Sequence, residues 1–372
     1  MRIAQVAPLF ESVPPKLYGG TERVVSWLTE ELVRQGHEVT LFASGDSVTA
    51  ARLVPVCERS LRLDEQCHDE LAHIVLGLEQ VIQTESQFDF VHWHVDYICY
   101  PLARRMRTPH ANTLHGRLDI PELVPLYRQY REIPVISISR AQRDPLPWIN
   151  WQGNVHHGLP ETLFTFRDQP GDYLAFLGRI SPEKGVDRAI EIAQRTGMTL
   201  KIAAKISKPD QPYYDEVIKP LIARSPQVEF LGEISEKEKN DFLGRAYALL
   251  FPISWPEPFG LVMIEAMACG TPTIAFPGGS VAEVMESGAS GFVVKNVAEA
   301  EQAVERVARF NRKKCRRVFE RRFTDKIMTQ NYVKIYRRLI AEQSAAQPWS
   351  YKAATRNGRD GSLQFPSELP TR

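Results

Sequence analysis

Short apolar runs alternate along this chain with longer stretches in which apolar residues recur at helical spacing. Runs of the first kind fit strands buried on both faces, and stretches of the second kind fit helices that cover them. The alternation therefore predicts βα units and parallel sheets. Residues 3–7 form the first expected strand. A loop bearing Pro14, Pro15, Gly19 and Gly20 follows, and Thr21 is placed to cap a helix in which Val24, Val25, Leu28 and Leu32 share a face before Gly36 stops it. Residues 39–43 return as a strand, and further strands are expected at 89–92, 111–114 and 134–138, with 50–85 read as helix and loop.

Between 158 and 172 the composition turns to Pro, Gly, Asp and Gln, and a new strand is expected at 173–177, which sets a domain boundary there. The alternation then resumes, with strands near 199–204, 228–231, 248–252 and 272–276 and helices near 185–196, 213–224, 235–246 and 260–269. The expected organisation is a domain over 1–160, a second over 161–325, a terminal helix over 326–342 and a disordered tail over 343–372, poor in large apolar groups.

The length of 372 residues suits two domains, and two domains imply a cleft. With 46 Lys plus Arg against 45 Asp plus Glu, no global field attracts nucleic acid, so an anion site must be local. Cys57, Cys67, Cys99, Cys269 and Cys315 form no CxxC pair, which argues against a disulfide framework or a zinc site and fits a reducing cytoplasm. The first residues read as a strand and not a signal peptide, and no apolar run is long enough to span a membrane.

The strongest chemical signal lies between Pro256 and Gly270, where a helix is expected to open at Pro258. Glu265 sits among Leu261, Val262, Met263, Ile264, Ala266, Met267 and Ala268. A carboxylate so embedded needs partners, and either two vicinal ribose hydroxyls or an internal Arg or Lys would serve. Glu257 stands before the helix, where the backbone N–H groups of Phe259, Gly260 and Leu261 are free to meet a polar ligand; the alternative is a charge favoured by the helix dipole. Arg179 and Lys184, in GRISPEKG between a strand and a helix, suit a diphosphate at the carboxyl edge of an open sheet, where a solvated turn is the bland reading.

Gly19 and Gly20 let the backbone approach a phosphate or sugar, or simply make a tight turn; no P-loop or GxGxxG pattern is present. His115 ends an expected strand where its ring could enter the cleft or merely pack. His92, His94 and Asp96 would share a face if their strand continued, a minor case for metal binding. The basic run from Arg309 to Arg322 reads as a solvated helix face, with weak peripheral contact to anionic lipid or an acidic acceptor as the minority reading.

In combination, GRISPEKG, VEFLGEIS, EPFGLVMIEAMACGTPTIAFPGG and the region of Glu283 and Gly291 resemble the retaining family 4 glycosyltransferases of GT-B fold, over residues 1–340. The resemblance implies two Rossmann-like α/β domains facing a cleft, with the terminal helix crossing back to the first. It implies that Arg179 and Lys184 hold the diphosphate of a nucleotide-sugar donor, that Glu265 binds ribose, and that Glu257 with the backbone of Phe259, Gly260 and Leu261 meets the transferred hexose. His115 would touch the sugar near the reacting centre, and Gly19 and Gly20 would lie under the diphosphate. Loops near Gly232 and Ile234 are expected to read the base. Asn154-Val155-His156-His157-Gly158 departs from the family's linker pattern, and no Asp-x-Asp motif is present, so neither metal nor cofactor is expected. The acceptor is open among glycan, lipid and small molecule. The alternatives are a nucleotide-sugar epimerase, a phosphorylase of related frame, or a catalytically silent nucleotide-sugar-binding protein.

Overall fold

In the computed structural model, which describes residues 1–17 and 19–346, the chain builds two all-parallel sheets in succession. The first contains β1 (Arg2–Val6), β2 (Glu38–Ser44), β3 (Arg52–Cys57), β4 (Phe90–Trp93), β5 (His110–Thr113), β6 (Val135–Ser137) and β7 (Trp151–Asn154), in the order β3-β2-β1-β4-β5-β6-β7. The second contains β8 (Tyr173–Arg179), β9 (Thr199–Lys205), β10 (Val228–Gly232), β11 (Ala246–Phe251), β12 (Thr273–Ala275) and β13 (Gly291–Val293), in the order β10-β9-β8-β11-β12-β13. Helices cover the faces, as parallel crossovers require.

In both sheets the first strand lies inside, with its successor on one side and a later strand on the other. The connections after β1 and β8 therefore leave at points where the winding reverses, and such points open crevices beyond the carboxyl ends of the strands. The terminal helix, Asp325–Ala346, returns to the first sheet: Tyr336 stacks on Phe90 with ring centroids 4.3 Å apart, and Arg34 Nη2 lies 2.8 Å from Asp325 Oδ2. Tyr332 and Tyr336 are wholly buried in this contact.

The interior strands appear where the apolar runs predicted them. β3, β7 and β13 do not, and all three are edge strands. β3 carries Pro55, which an edge tolerates because one side of it needs no N–H donor, and both β3 and β7 are mostly half-buried, so neither makes a clean apolar run. The helix expected over 213–224 is broken by a π-helical turn at Tyr214–Ile218. Two helix starts also move. The first helix runs Gly20–Arg34 with Gly19 before it, so Thr21 is its second residue and caps nothing. The other runs Leu261–Cys269, three residues after Pro258, because Gly260 takes the left-handed conformation (φ 77°) at its N-cap. Of the expected tail, 343–346 belongs to the terminal helix and 347–372 lies outside the described residues.

Candidate active site

The carboxyl ends of the two sheets face one cavity of about 690 Å³. His115, Arg179, Lys184, Glu257, Gly19, Gly20, Phe259, Gly260, Leu261 and Glu265 all line it. Gly20 comes from the first helix and Leu261 from the second unit, and a Cβ on Gly20 would stand 3.6 Å from Leu261 Cδ1, so the walls nearly touch here. Ile234 lines the cavity and Gly232 does not.

Strand β8 ends at Arg179, and a single 3-10 turn over Pro182–Lys184 leads to the helix Val186–Thr196. Gly185 makes this possible: its φ is 72°, and a Cβ there would lie 2.1 Å from the carbonyl oxygen of Pro252. The turn aims Lys184 at Glu257, whose Oε2 accepts from Lys184 Nζ at 2.5 Å and from Trp255 Nε1 at 3.0 Å. The same ammonium lies 4.5 Å from the centroid of the Trp255 ring. Arg179 Nη2 donates to Glu183 Oε1 at 2.6 Å, and its Nε lies 3.2 Å from Asp210 Oδ2. Each cation expected to meet an anion is thus held ready by an internal carboxylate, which a bound anion would have to displace or share.

Glu265 is 2% exposed, and its Oε1 accepts from Lys239 Nζ at 3.0 Å. An internal cation therefore satisfies part of this carboxylate, as one of the two sequence readings required, yet both partners line the cavity. Phe259 contributes backbone and a buried ring that packs at 4.8 Å against His157.

From the other sheet, β1, β4 and β5 deliver Gln5, His94 and His115 to one buried chain of hydrogen bonds. Gln5 Nε2 donates to the Tyr336 hydroxyl at 3.4 Å, which leaves Gln5 Oε1 to accept from His94 Nε2 at 2.8 Å. His94 Nδ1 then carries a lone pair and accepts from His115 Nε2 at 2.9 Å. Burial lowers the His115 pKa to about 3 and holds His94 well below the usual histidine value, so both rings are neutral. By this chain His115 Nδ1 is left unprotonated, and it has no protein partner. His92 is bonded to Thr113 Oγ1 at 2.7 Å and to the Tyr336 hydroxyl at 2.7 Å. β4 ends at Trp93, so the strand does not continue through Asp96, which has φ 49°; the His92 and His94 rings lie 4.0 Å apart, and among the described residues no group of three His, Cys, Asp or Glu is placed to hold a metal ion.

Sequence reasoning missed several residues of this cavity. Arg23, 3% exposed, pairs with Glu236 of the second unit and donates to the Leu17 carbonyl at 2.8 Å. Glu22 and Glu11 are buried beside it, and Arg62 pairs with Glu11. Burial, with Glu11 adding to it, pushes the Glu22 pKa up to about 7. Outside the cavity, Glu283 accepts from the backbone N–H of Arg140 at 2.7 Å and from His156 Nε2 at 2.6 Å, tying the departing linker to the second unit. Most of the basic run 309–322 faces solvent, as the reading of a solvated helix face expects: Arg309, Lys313, Lys314, Arg317 and Arg321 are exposed, Arg316 and Arg322 are half-buried, and Arg312 is buried. Arg312 donates to the carbonyls of Arg167, Ala246 and Gly244, Arg316 to those of Phe164, Ala268 and Glu161, and Arg321 and Arg322 meet Glu286. Among the described residues no helix is long and apolar enough to cross a membrane.

Two parallel sheets with their carboxyl edges turned to a common cleft, and a terminal helix returning to the first, define the GT-B class of glycosyltransferase fold. Residues 165–323 match the family of glycosyl transferases group 1, and residues 18–149 match Glycosyltransferase Family 4. The chain belongs to the family 4 glycosyltransferases. It is 27% identical over 320 residues to a phosphatidyl-myo-inositol mannosyltransferase of Propionibacterium freudenreichii, covering 74% of this chain and 77% of that one. Among solved structures it resembles AviGT4, a glycosyltransferase involved in avilamycin A biosynthesis (TM-score 0.71, 25% identity, 92% of this chain and 98% of that one). It also shares the fold of Anabaena HepE in complex with UDP and glucose (TM-score 0.66, 19% identity, 90% and 98%).

Proposed function

We propose that this glycosyltransferase draws a hexose from a nucleoside diphosphate sugar seated in the cleft and transfers it with retention of anomeric configuration, without a metal ion. The observation that carries the reading is convergence: the ten residues that the resemblance places at the diphosphate, ribose and hexose, from both halves of the chain, line the same cavity. In this reading Arg179 and Lys184 neutralise the diphosphate, while Gly19 and Gly20 let the opposite wall close on it. Glu265, already held by Lys239, offers its remaining acceptor capacity to ribose hydroxyls. Glu257 and the backbone of Phe259, Gly260 and Leu261 meet the hexose, and His115, on the same cavity wall, lies beside it.

The bond from the anomeric carbon to the diphosphate breaks while the acceptor oxygen attacks from the same face, and the acceptor proton passes to the departing diphosphate oxygen. Two cations at that oxygen lower the barrier by stabilising the charge that develops there. The test is a thermal-shift screen against UDP-, GDP-, ADP- and TDP-sugars, followed by assay of nucleotide release with and without added acceptors in EDTA. One donor should raise the melting temperature and turn over in EDTA. Conversion of the nucleotide sugar without hydrolysis or acceptor, or strict dependence on inorganic phosphate, would replace this reading with an epimerase or a phosphorylase.

A further inference from the structure

A second cavity, of about 410 Å³, opens off the cleft beneath the loop after β1, the helix Glu70–Thr84 and the turn Asp96–Cys99. The two cavities share Phe10, Thr21, Glu22 and His115, so the floor of one is the doorway of the other. Their chemistry differs sharply. The cleft is crowded with Arg and Lys, whereas no Lys or Arg lines the second cavity. Its walls are apolar, with Leu9, Phe42, Val56, Ile74, Leu78 and Ile98 among them. Its acidic and imidazole groups are Glu22, Asp96, His94 and His115, with the Tyr97 phenol at the rim; the two imidazoles are neutral, and Glu22 and His115 stand at the doorway.

Such a space is a poor seat for phosphate and carboxylate groups, since it offers them no cation, and it gives a bare sugar few partners for its hydroxyls. It rewards an apolar body instead. Its volume is within the range of small-molecule pockets and far below what a polymer chain would fill. Position supplies the rest of the argument, because a molecule seated here has its exit toward the cleft at Glu22 and His115, beside the wall where the transferred sugar is read to lie. We propose that this cavity seats the apolar portion of a neutral acceptor, leaving the acceptor hydroxyl at the doorway between Glu22 and His115. The inference rests on the donor reading of the cleft only for the name acceptor; the apolar seat itself stands on its own lining.

The probe is a series of n-alkyl β-glucosides from methyl to octyl, titrated below their micellar concentrations into the full chain with and without saturating nucleoside diphosphate. Affinity should rise about threefold to fourfold for each methylene until the cavity is full. Ile74→Phe, which fills the cavity from its half-buried wall, should flatten that rise and keep the nucleoside diphosphate dissociation constant within about twofold of wild type. Tyr97→Ala removes a rim ring that is 45% exposed, so it carries little risk to folding, and should weaken the long-chain members by about fivefold or more. Equal affinity along the wild-type series, no binding at all, or a rise that persists in both variants would overturn the proposal. A normal alkyl series in a chain that binds no nucleoside diphosphate would support the apolar seat and sink the donor reading.

Discussion

Glu265→Gln separates two duties of one carboxylate. The substitution keeps the side chain's shape but removes the charge that meets Lys239 Nζ at 3.0 Å. Breaking a fully buried pair by removing one partner costs about 3–5 kcal/mol. Lys239, however, lines the cavity and keeps some access to solvent, so its ammonium can be rehydrated and the cost falls to about 1–2 kcal/mol. For the ligand, the amide supplies a donor where ribose hydroxyls need an acceptor. That mismatch costs about 1–3 kcal/mol, or roughly 5-fold to 150-fold in affinity. Lys239→Met provides the comparison, because it breaks the same pair and leaves the carboxylate in place. Melting curves and titration calorimetry with the nucleoside diphosphate should show both variants modestly destabilised. Only Glu265→Gln should fall to the lower part of the affinity range. A large loss of stability in Glu265→Gln with unchanged affinity would make this glutamate structural and refute the ribose assignment.

Lys184→Ala should slow transfer by about 10²-fold or more while the fold survives, because the departing diphosphate loses a preorganised cation; steady-state turnover checks this, and unchanged kcat defeats the assignment. Glu22→Gln should change the pH dependence of stability. The folded chain holds the Glu22 proton up to about pH 7 and the unfolded chain releases it near 4.5, so wild type loses stability as pH rises through that window. The glutamine variant escapes this loss, and should gain on the order of 3 kcal/mol over wild type between pH 4.5 and 8 in denaturant titrations; a difference independent of pH would contradict the buried, protonated carboxyl. Arg312→Met should cost more than about 3 kcal/mol, since it strips donors from buried carbonyls of Arg167, Ala246 and Gly244; a shift within about 0.5 kcal/mol would show that this guanidinium does not hold those carbonyls.

Much of this architecture is legible in the sequence because strands buried on both faces must be apolar throughout. Ile3, Ala4 and Val6 in β1 and Leu174, Ala175 and Phe176 in β8 announce themselves for that reason. The edge strands β3 and β7 escape notice because they are mostly half-buried and tolerate Pro55 or Gly153. The site follows the same division. Arg179, Lys184, Glu257 and Glu265 stand out because charges at a strand end or inside an apolar helix contradict their local surroundings. Lys239 does not, since in Glu236-Lys237-Glu238-Lys239 it looks like any solvated helix cation, and only the approach of the helix Leu261–Cys269 gives it Glu265. His94 is hidden for a similar reason. Its role depends on Gln5 and on Tyr336 of the terminal helix, and no local spacing records contacts that distant.

The most direct test of the account is a crystal structure of the chain with the nucleoside diphosphate that the donor screen selects. The diphosphate should lie in the cleft, within hydrogen-bond reach of Lys184 Nζ and the Arg179 guanidinium, with ribose oxygens at Glu265 and the backbone of Gly19 and Gly20 facing the phosphates. A nucleotide bound elsewhere, or in the cleft with Lys184 and Arg179 still held by Glu257 and Glu183 and out of reach of the phosphates, would contradict it.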